Sequence, residues 1–158
     1  MLHPGTEHSK RIHLAQGLAI VDGRVLLVAS RYASHPKPRW NLPGGRQEPG
    51  ELLQQTVERE IREETTLSAT VNELAYVSES YDGDTHVLAV VFHVDVTGEL
   101  RVAEGEHVAA AAWVAFDAIG SVIEPAVVRE PLLAYLSGEL PRQYAARADA
   151  GISVRWFS

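Results

Sequence analysis

The chain has 158 residues, 46% of them hydrophobic, and 14 Lys and Arg against 21 Asp and Glu, a net charge of −7. That length fits one domain with a proper core, and the acidic balance, with no run of Lys and Arg, argues against long DNA or RNA as a partner. Cysteine is absent, so disulfides and thiolate metal sites are excluded, which is compatible with the expected cytoplasmic location.

The opening residues, MLHPGTEHSKRIH, lack the apolar stretch of a secretory signal, and residues 1–10 are expected to be a flexible N-terminus. His13 to Val21 reads as a strand, Asp22-Gly23 as a tight hairpin turn and Arg24 to Ser30 as the partner strand. The loop Arg31 to Arg39 carries Pro36 and Pro38, and a short strand, Trp40 to Leu42, runs into Pro43-Gly44-Gly45. A helix follows from about Leu52 to Thr65, because Leu52, Leu53, Val57 and Ile61 recur at helical spacing after the punctuation of Pro49 and Gly50. Thr70 to Tyr81 and His86 to Val96 read as strands joined across Asp82-Gly83-Asp84, and Ala110 to Ala115 as a further strand. Phe116 to Ile119 starts a short helical turn. A second helix is expected between Pro125 and Leu136, either kinked at Pro131 or restarting there. Residues 142–158 form a C-terminal extension, irregular until a strand at Ile152 to Phe157. No apolar run is long enough to span a bilayer, so no membrane partner is expected. The whole reads as a single α/β or α+β domain.

The first helix carries the chemistry. At about 100° per residue, Glu60, Glu63 and Glu64 share one face, beside the apolar stripe of Leu53, Val57 and Ile61. An anion beside a core is costly unless paired or metal-bound, and like charges on adjacent turns repel unless a cation sits among them. The bland reading is a solvated acidic face braced by Arg59 and Arg62. The position beside the stripe, directly after a Gly- and Pro-rich turn, favours a site for a hard cation such as Mg²⁺ or Mn²⁺ with a phosphate chain.

The segment GRQEPGELLQQTVEREIREETTL, Gly45 to Leu67, resembles the signature of the Nudix hydrolase family. That signature is Gly, five residues, Glu, seven residues, Arg-Glu, an aliphatic residue, any residue, Glu-Glu, any residue, Gly and an aliphatic residue. Gly45, Glu51, Arg59, Glu60, Ile61, Glu63, Glu64 and Leu67 match it, and Thr66 stands where the family has Gly. That glycine would take the left-handed conformation ending the helix, which costs a β-branched residue about 1 kcal/mol or more. The resemblance implies an α/β/α sandwich with a mixed β-sheet. It also implies a pyrophosphohydrolase, dependent on Mg (or Mn), that cleaves a diphosphate bond of a nucleoside diphosphate linked to another moiety.

Within that resemblance, Glu60 and Glu64 are the primary metal ligands. Glu63 binds a second ion or accepts the water proton, Glu51 is an outer ligand or the partner of Arg59, and Arg59 orients carboxylates. The carbonyl of Gly44 is a metal ligand by analogy, or Gly44 is only a turn residue. Arg46, and less directly Arg31, reads either as a phosphate contact or as a solvated surface Arg. In the loop ahead of Trp113, where relatives often carry a further Glu, Glu106 is the better candidate than Glu104 for a metal ligand or base. Trp40 and Tyr81 could stack on a base, although a Trp before Pro-Gly-Gly is more often a packing residue. The seven histidines form no zinc-type pairing and read as structural or surface groups.

The substrate is expected to be a small nucleotide, with nucleoside triphosphates, ADP-ribose and nucleotide sugars all open, and a homodimer is allowed. A nucleotide-sensing module without turnover is the alternative from another class. A prenyl diphosphate isomerase, also known on this fold, would be expected to carry a catalytic Cys, which this chain lacks.

Overall fold

A computed structural model describes residues 10–33, 35–102, 107–140, 143–147 and 155–156. Ten strands and three helices are defined among the described residues. The first hairpin forms as its turn chemistry demands: β1 (Arg11–Leu18) leads into β2 (Ile20–Val21), which pairs with β3 (Arg24–Ser30) across Asp22 and Gly23. Both turn residues have positive φ, 51° and 71°, the geometry whose twist suits a two-residue hairpin.

Next come β4 (Arg39–Asn41), β5 (Gly44–Arg46) and the first helix, α1 (Leu53–Thr65). The Gln55 side chain reaches back to accept from Leu52 N at 2.7 Å, satisfying one free donor at the helix start. β6 (Ser68–Asp82) and β7 (Thr85–Thr97) form the long hairpin, followed by β8 (Val108–Ala115), α2 (Phe116–Val122) and α3 (Ala126–Leu136). α3 runs through buried Pro131 as one helix and does not restart there. The tail is less irregular than its composition suggests. β9 (Tyr144–Arg147) adds in parallel to β6, and β10 (Arg155–Trp156) pairs with β9; the rest of the expected strand at 152–157 lies outside the described residues.

Two sheets result. The larger has the order β10-β9-β6-β7-β1-β5 and is mixed, because β1 and β7 run parallel while β6 and β7 are antiparallel. In the smaller, β8 covers one edge of β3, while β2 and β4 share its other edge at opposite ends. Alternating side chains feed two cores. Leu18, Val25, Leu27 and Val91 pack with Ile119 of α2 and Leu132 of α3, whereas Ala15, Leu26 and Val94 pack with Val57 and Ile61 of α1. Helices therefore flank the strands on both sides, the expected layering.

Gly17 lets α1 approach β1 closely. A Cβ there would lie 2.7 Å from Ile61 Cδ1 and 3.1 Å from Val57 Cγ1.

Candidate active site

Packing of Val57 and Ile61 into the core turns the adjoining acidic flank of α1 toward β5, and β5 is held by β1 through the pairs Leu14–Arg46 and Gln16–Gly44. Both glycines of β5 stand in close approach, Gly44 to backbone and Gly45 to a side chain. A Cβ on Gly44 would sit 2.2 Å from the Ala15 carbonyl oxygen, and one on Gly45 would sit 2.5 Å from Glu60 Oε1. The signature glycine thus clears the space that the Glu60 carboxylate occupies.

A cleft of about 710 Å³ opens here, lined by Arg31, Tyr32, Gly44, Arg46, Glu60 and Glu64 among others. Glu64 Oε1 accepts from Gly44 N at 2.8 Å. Burial pushes Glu64 up to about 8, with the charges of Glu60 and Glu63 adding to the rise and the Gly44 N–H opposing it. Glu60 is also raised by burial, against the pull of Arg59.

Arg59 is the hub of the acidic face. Its Nε and Nη2 meet the two oxygens of Glu51 at 2.7 and 3.0 Å, its Nη1 reaches Glu60 Oε1 at 3.0 Å and Glu63 Oε2 at 3.2 Å, and Nη2 donates to the Arg46 carbonyl at 3.3 Å. Hydrogen bonds from Arg59, followed by one from the Glu48 backbone, hold Glu51 down at about 2. The fully buried Thr56 hydroxyl donates to the same carboxylate at 3.1 Å. Of the two expected roles for Glu51, partner of Arg59 is the one the geometry displays.

Arg46 is exposed at the cleft and its guanidinium has no partner among the described residues. Arg31 also lines the cleft, but its Nη1 donates to the Val108 carbonyl at 3.3 Å. Trp40 packs against the core. Tyr81 stacks on His86 at 4.7 Å and is not among the residues lining the cleft. Glu104 and Glu106 lie outside the described residues. Sequence reasoning missed Tyr32, half exposed at the cleft, whose hydroxyl is raised by burial and by the Glu64 charge. An aromatic residue beside Arg31 in the loop leading to the glycine turn was the available signal.

Among the described residues, no three His, Asp or Glu side chains are gathered to hold a metal ion as they stand, and Arg59 engages Glu60 and Glu63. The donor chemistry still fits a hard cation. Glu64 is a mostly buried carboxylate facing two like charges, and with Glu60 it lines one cleft.

A family model described as NUDIX domain matches residues 11–136. The chain belongs to that family. It is 39% identical over 92 residues to an ADP-ribose pyrophosphatase of Methanocaldococcus jannaschii, covering 56% of this chain and 53% of that protein. The solution structure of the Escherichia coli ORF135 protein is similar with a TM-score of 0.68 and 30% identity, covering 82% of this chain and 90% of that one. A MutT NUDIX hydrolase from Burkholderia pseudomallei aligns with a TM-score of 0.62 and 30% identity, over 68% and 85% of the two chains. The chain spans about half the length of the first curated relatives it matches. No helix among the described residues is long and apolar enough to cross a membrane.

Proposed function

We propose that this Nudix protein is a pyrophosphohydrolase acting on a nucleoside diphosphate linked to another moiety, with water as the nucleophile. One observation carries the reading: Glu60 and half-buried Glu64 line the same cleft as the guanidinium of Arg46, which has no partner among the described residues. Carboxylates and a free guanidinium at one surface suit an anionic chain held through a divalent cation on one side and directly on the other.

The bound cation, Mg²⁺ or Mn²⁺, would neutralise phosphate charge and acidify water. The protein's own part is positioning. Glu60 and Glu64 would hold the cation, the Gly44 carbonyl being a further donor, and the Gly44 N–H fixes one Glu64 oxygen in place. Arg59 braces Glu60 from behind through the clamp on Glu51. Glu63, 59% exposed and held by a single contact at 3.2 Å, is free to swing toward the cleft as second ligand or as proton acceptor, a role Glu106 is the alternative to fill. Arg46, with Arg31 behind it, binds phosphate oxygens. The relative named as an ADP-ribose pyrophosphatase supports a small nucleotide substrate of this class.

A product-resolved assay against nucleoside triphosphates, ADP-ribose and nucleotide sugars, with Mg²⁺ and then Mn²⁺, tests the reading. Cleavage should require the cation and fall by orders of magnitude in Glu60→Gln. Full activity after exhaustive chelation would overturn it.

A further inference from the structure

Two threonines of α1, Thr56 and Thr65, are fully buried, and their hydroxyls are used differently. Thr65 Oγ1 donates to the Ile61 carbonyl at 2.6 Å and accepts from Leu67 N at 3.3 Å, the local bonding by which a helical threonine satisfies its own hydroxyl. For Thr56 the equivalent carbonyl, that of Leu52, is 3.4 Å away, and it already accepts from Gln55 N at 2.9 Å and from Thr56 N at 3.1 Å. The nearer acceptor is Glu51 Oε1 at 3.1 Å, and it is charged. An ionised carboxylate can only accept, so the hydroxyl proton belongs to Glu51.

Glu51 is thereby held from three places. Glu48 N in the preceding turn donates to Oε1 at 2.9 Å, Thr56 near the start of α1 donates to the same oxygen, and Arg59 in the middle of the helix donates to both oxygens, at 3.0 and 2.7 Å. The Arg59 fork sets the carboxylate and guanidinium in one plane, but it leaves the two free to turn together about the long arginine side chain. A branched side chain has few rotamers, and Thr56 is enclosed on every side, so its Oγ1 is a fixed point that stops this swing. Nη1 of the same Arg59 meets Glu60 and Glu63. Thr56 stands among the seven unfixed positions between Glu51 and Arg59, so the contact belongs to this chain and is not demanded by the family signature.

We propose that Thr56 is a positioning residue for the metal-binding carboxylates, acting through Glu51 and Arg59 on Glu60 and Glu63. This rests on the cation reading of the main cleft. The hydroxyl touches neither cation nor substrate; it fixes the fork, and the fork fixes the carboxylates.

Mn²⁺ binding to the full chain without nucleotide, followed by the paramagnetic resonance of the free ion, reads those carboxylates without turnover. Thr56→Val removes the hydroxyl and keeps the branch, whereas Thr56→Ser keeps the hydroxyl and removes the methyl. Thr56→Val should weaken Mn²⁺ binding by about tenfold, the lower end of the usual effect of groups that orient metal ligands, with kcat/KM falling in parallel. Thr56→Ser should bind Mn²⁺ as the unaltered protein does. In an Arg59→Lys background, which lacks the fork, Thr56→Val should add no further loss, because two groups acting through one contact are not additive. Unchanged Mn²⁺ affinity in Thr56→Val would overturn the proposal. So would equal weakening by Val and Ser, which traces to packing, or a full additional loss in the Arg59→Lys background, which gives the hydroxyl another route. Failure of the pyrophosphohydrolase reading is distinct: it shows as an unaltered protein that binds Mn²⁺ and cleaves no substrate in the panel.

Discussion

The Glu51 carboxylate faces the Arg59 guanidinium edge to edge, its two oxygens 2.7 Å from Nε and 3.0 Å from Nη2. Eight residues apart on the chain, the two join the turn before α1 to the middle of the helix. The fork leaves Nη1 pointing at Glu60 and Glu63, so a contact outside the cleft sets where the cleft's carboxylates stand.

Arg59→Lys should therefore behave as a disruptive change. A lysine keeps the charge but has no planar fork, so it can hold Glu51 or Glu60 and not both. Turnover should fall by about 10- to 100-fold, the usual effect of removing a group that orients metal ligands. The Mg²⁺ concentration giving half-maximal rate should rise with it. Unchanged metal dependence would mean that Arg59 serves the fold alone.

Glu64 gives a prediction with opposite signs for stability and activity. Its carboxyl is raised to about 8 in the folded, metal-free protein, above the ordinary value near 4.3. The folded state thus binds the extra proton between those two values, and stability falls as pH rises from about 4 to about 8. The upper limit of that loss is a few kcal/mol. Glu64→Gln, neutral at every pH, should melt higher than the unaltered protein at pH 8 without metal, yet turn over substrate orders of magnitude more slowly. Mg²⁺ should raise the melting temperature of the unaltered protein, increasingly as pH approaches 8, and much less that of the variant. Thermal melts at pH 6 and 8 with and without Mg²⁺ check all of this, and a destabilised variant at pH 8 would remove the assigned burial cost.

Much of the fold was legible because its signals are local. Asp22-Gly23 could make only a tight turn, and the spacing of Leu53, Val57 and Ile61 fixed which face of α1 is buried. The site was legible where backbone and side chain act within one segment: the Glu51–Arg59 pairing joins residues of one signature. What was hidden depends on distant contacts. β5 exists because Gly44 and Gly45 pair with Gln16 and Ala15, and β9 because its tail segment adds to β6; neither carries an alternating pattern of its own. The hydrogen bond from Gln16 Nε2 to Asn41 Oδ1 likewise joins residues 25 apart, and no spacing rule predicts it.

Thr66 shows how a departure from a family pattern is accommodated. It takes the left-handed conformation expected of the missing glycine, with φ of 62°, and its hydroxyl donates to the Glu99 carbonyl at 2.9 Å. Conformational cost and hydrogen bond, each about 1 kcal/mol, offset one another. Thr66→Ala keeps the cost and loses the bond, so it should destabilise by about 1 kcal/mol, whereas Thr66→Gly loses both and should be nearly neutral. Denaturant unfolding of the pair decides it: an unchanged Thr66→Ala would show that the hydroxyl contributes nothing, and equal destabilisation of the two variants that the left-handed conformation costs nothing.

Arg46 lines the cleft with no hydrogen-bond partner for its guanidinium among the described residues, and its own carbonyl is fixed by Arg59 Nη2 at 3.3 Å. A guanidinium so placed keeps all its donors for a ligand. Arg46→Ala should weaken transition-state binding by about 1–3 kcal/mol, the range for a hydrogen bond to a charged group. The split between constants tells when the contact forms. A raised KM with unchanged kcat places it already in the bound substrate, while a lowered kcat with constant KM places it only on the phosphoryl group in transit. Arg31→Ala is the internal comparison, because one of its nitrogens already serves the Val108 carbonyl, and its effect on kcat/KM should be the smaller. If Arg46→Ala leaves both constants unchanged, the phosphate chain does not cross β5, and the substrate must lie on the Tyr32 side of the cleft.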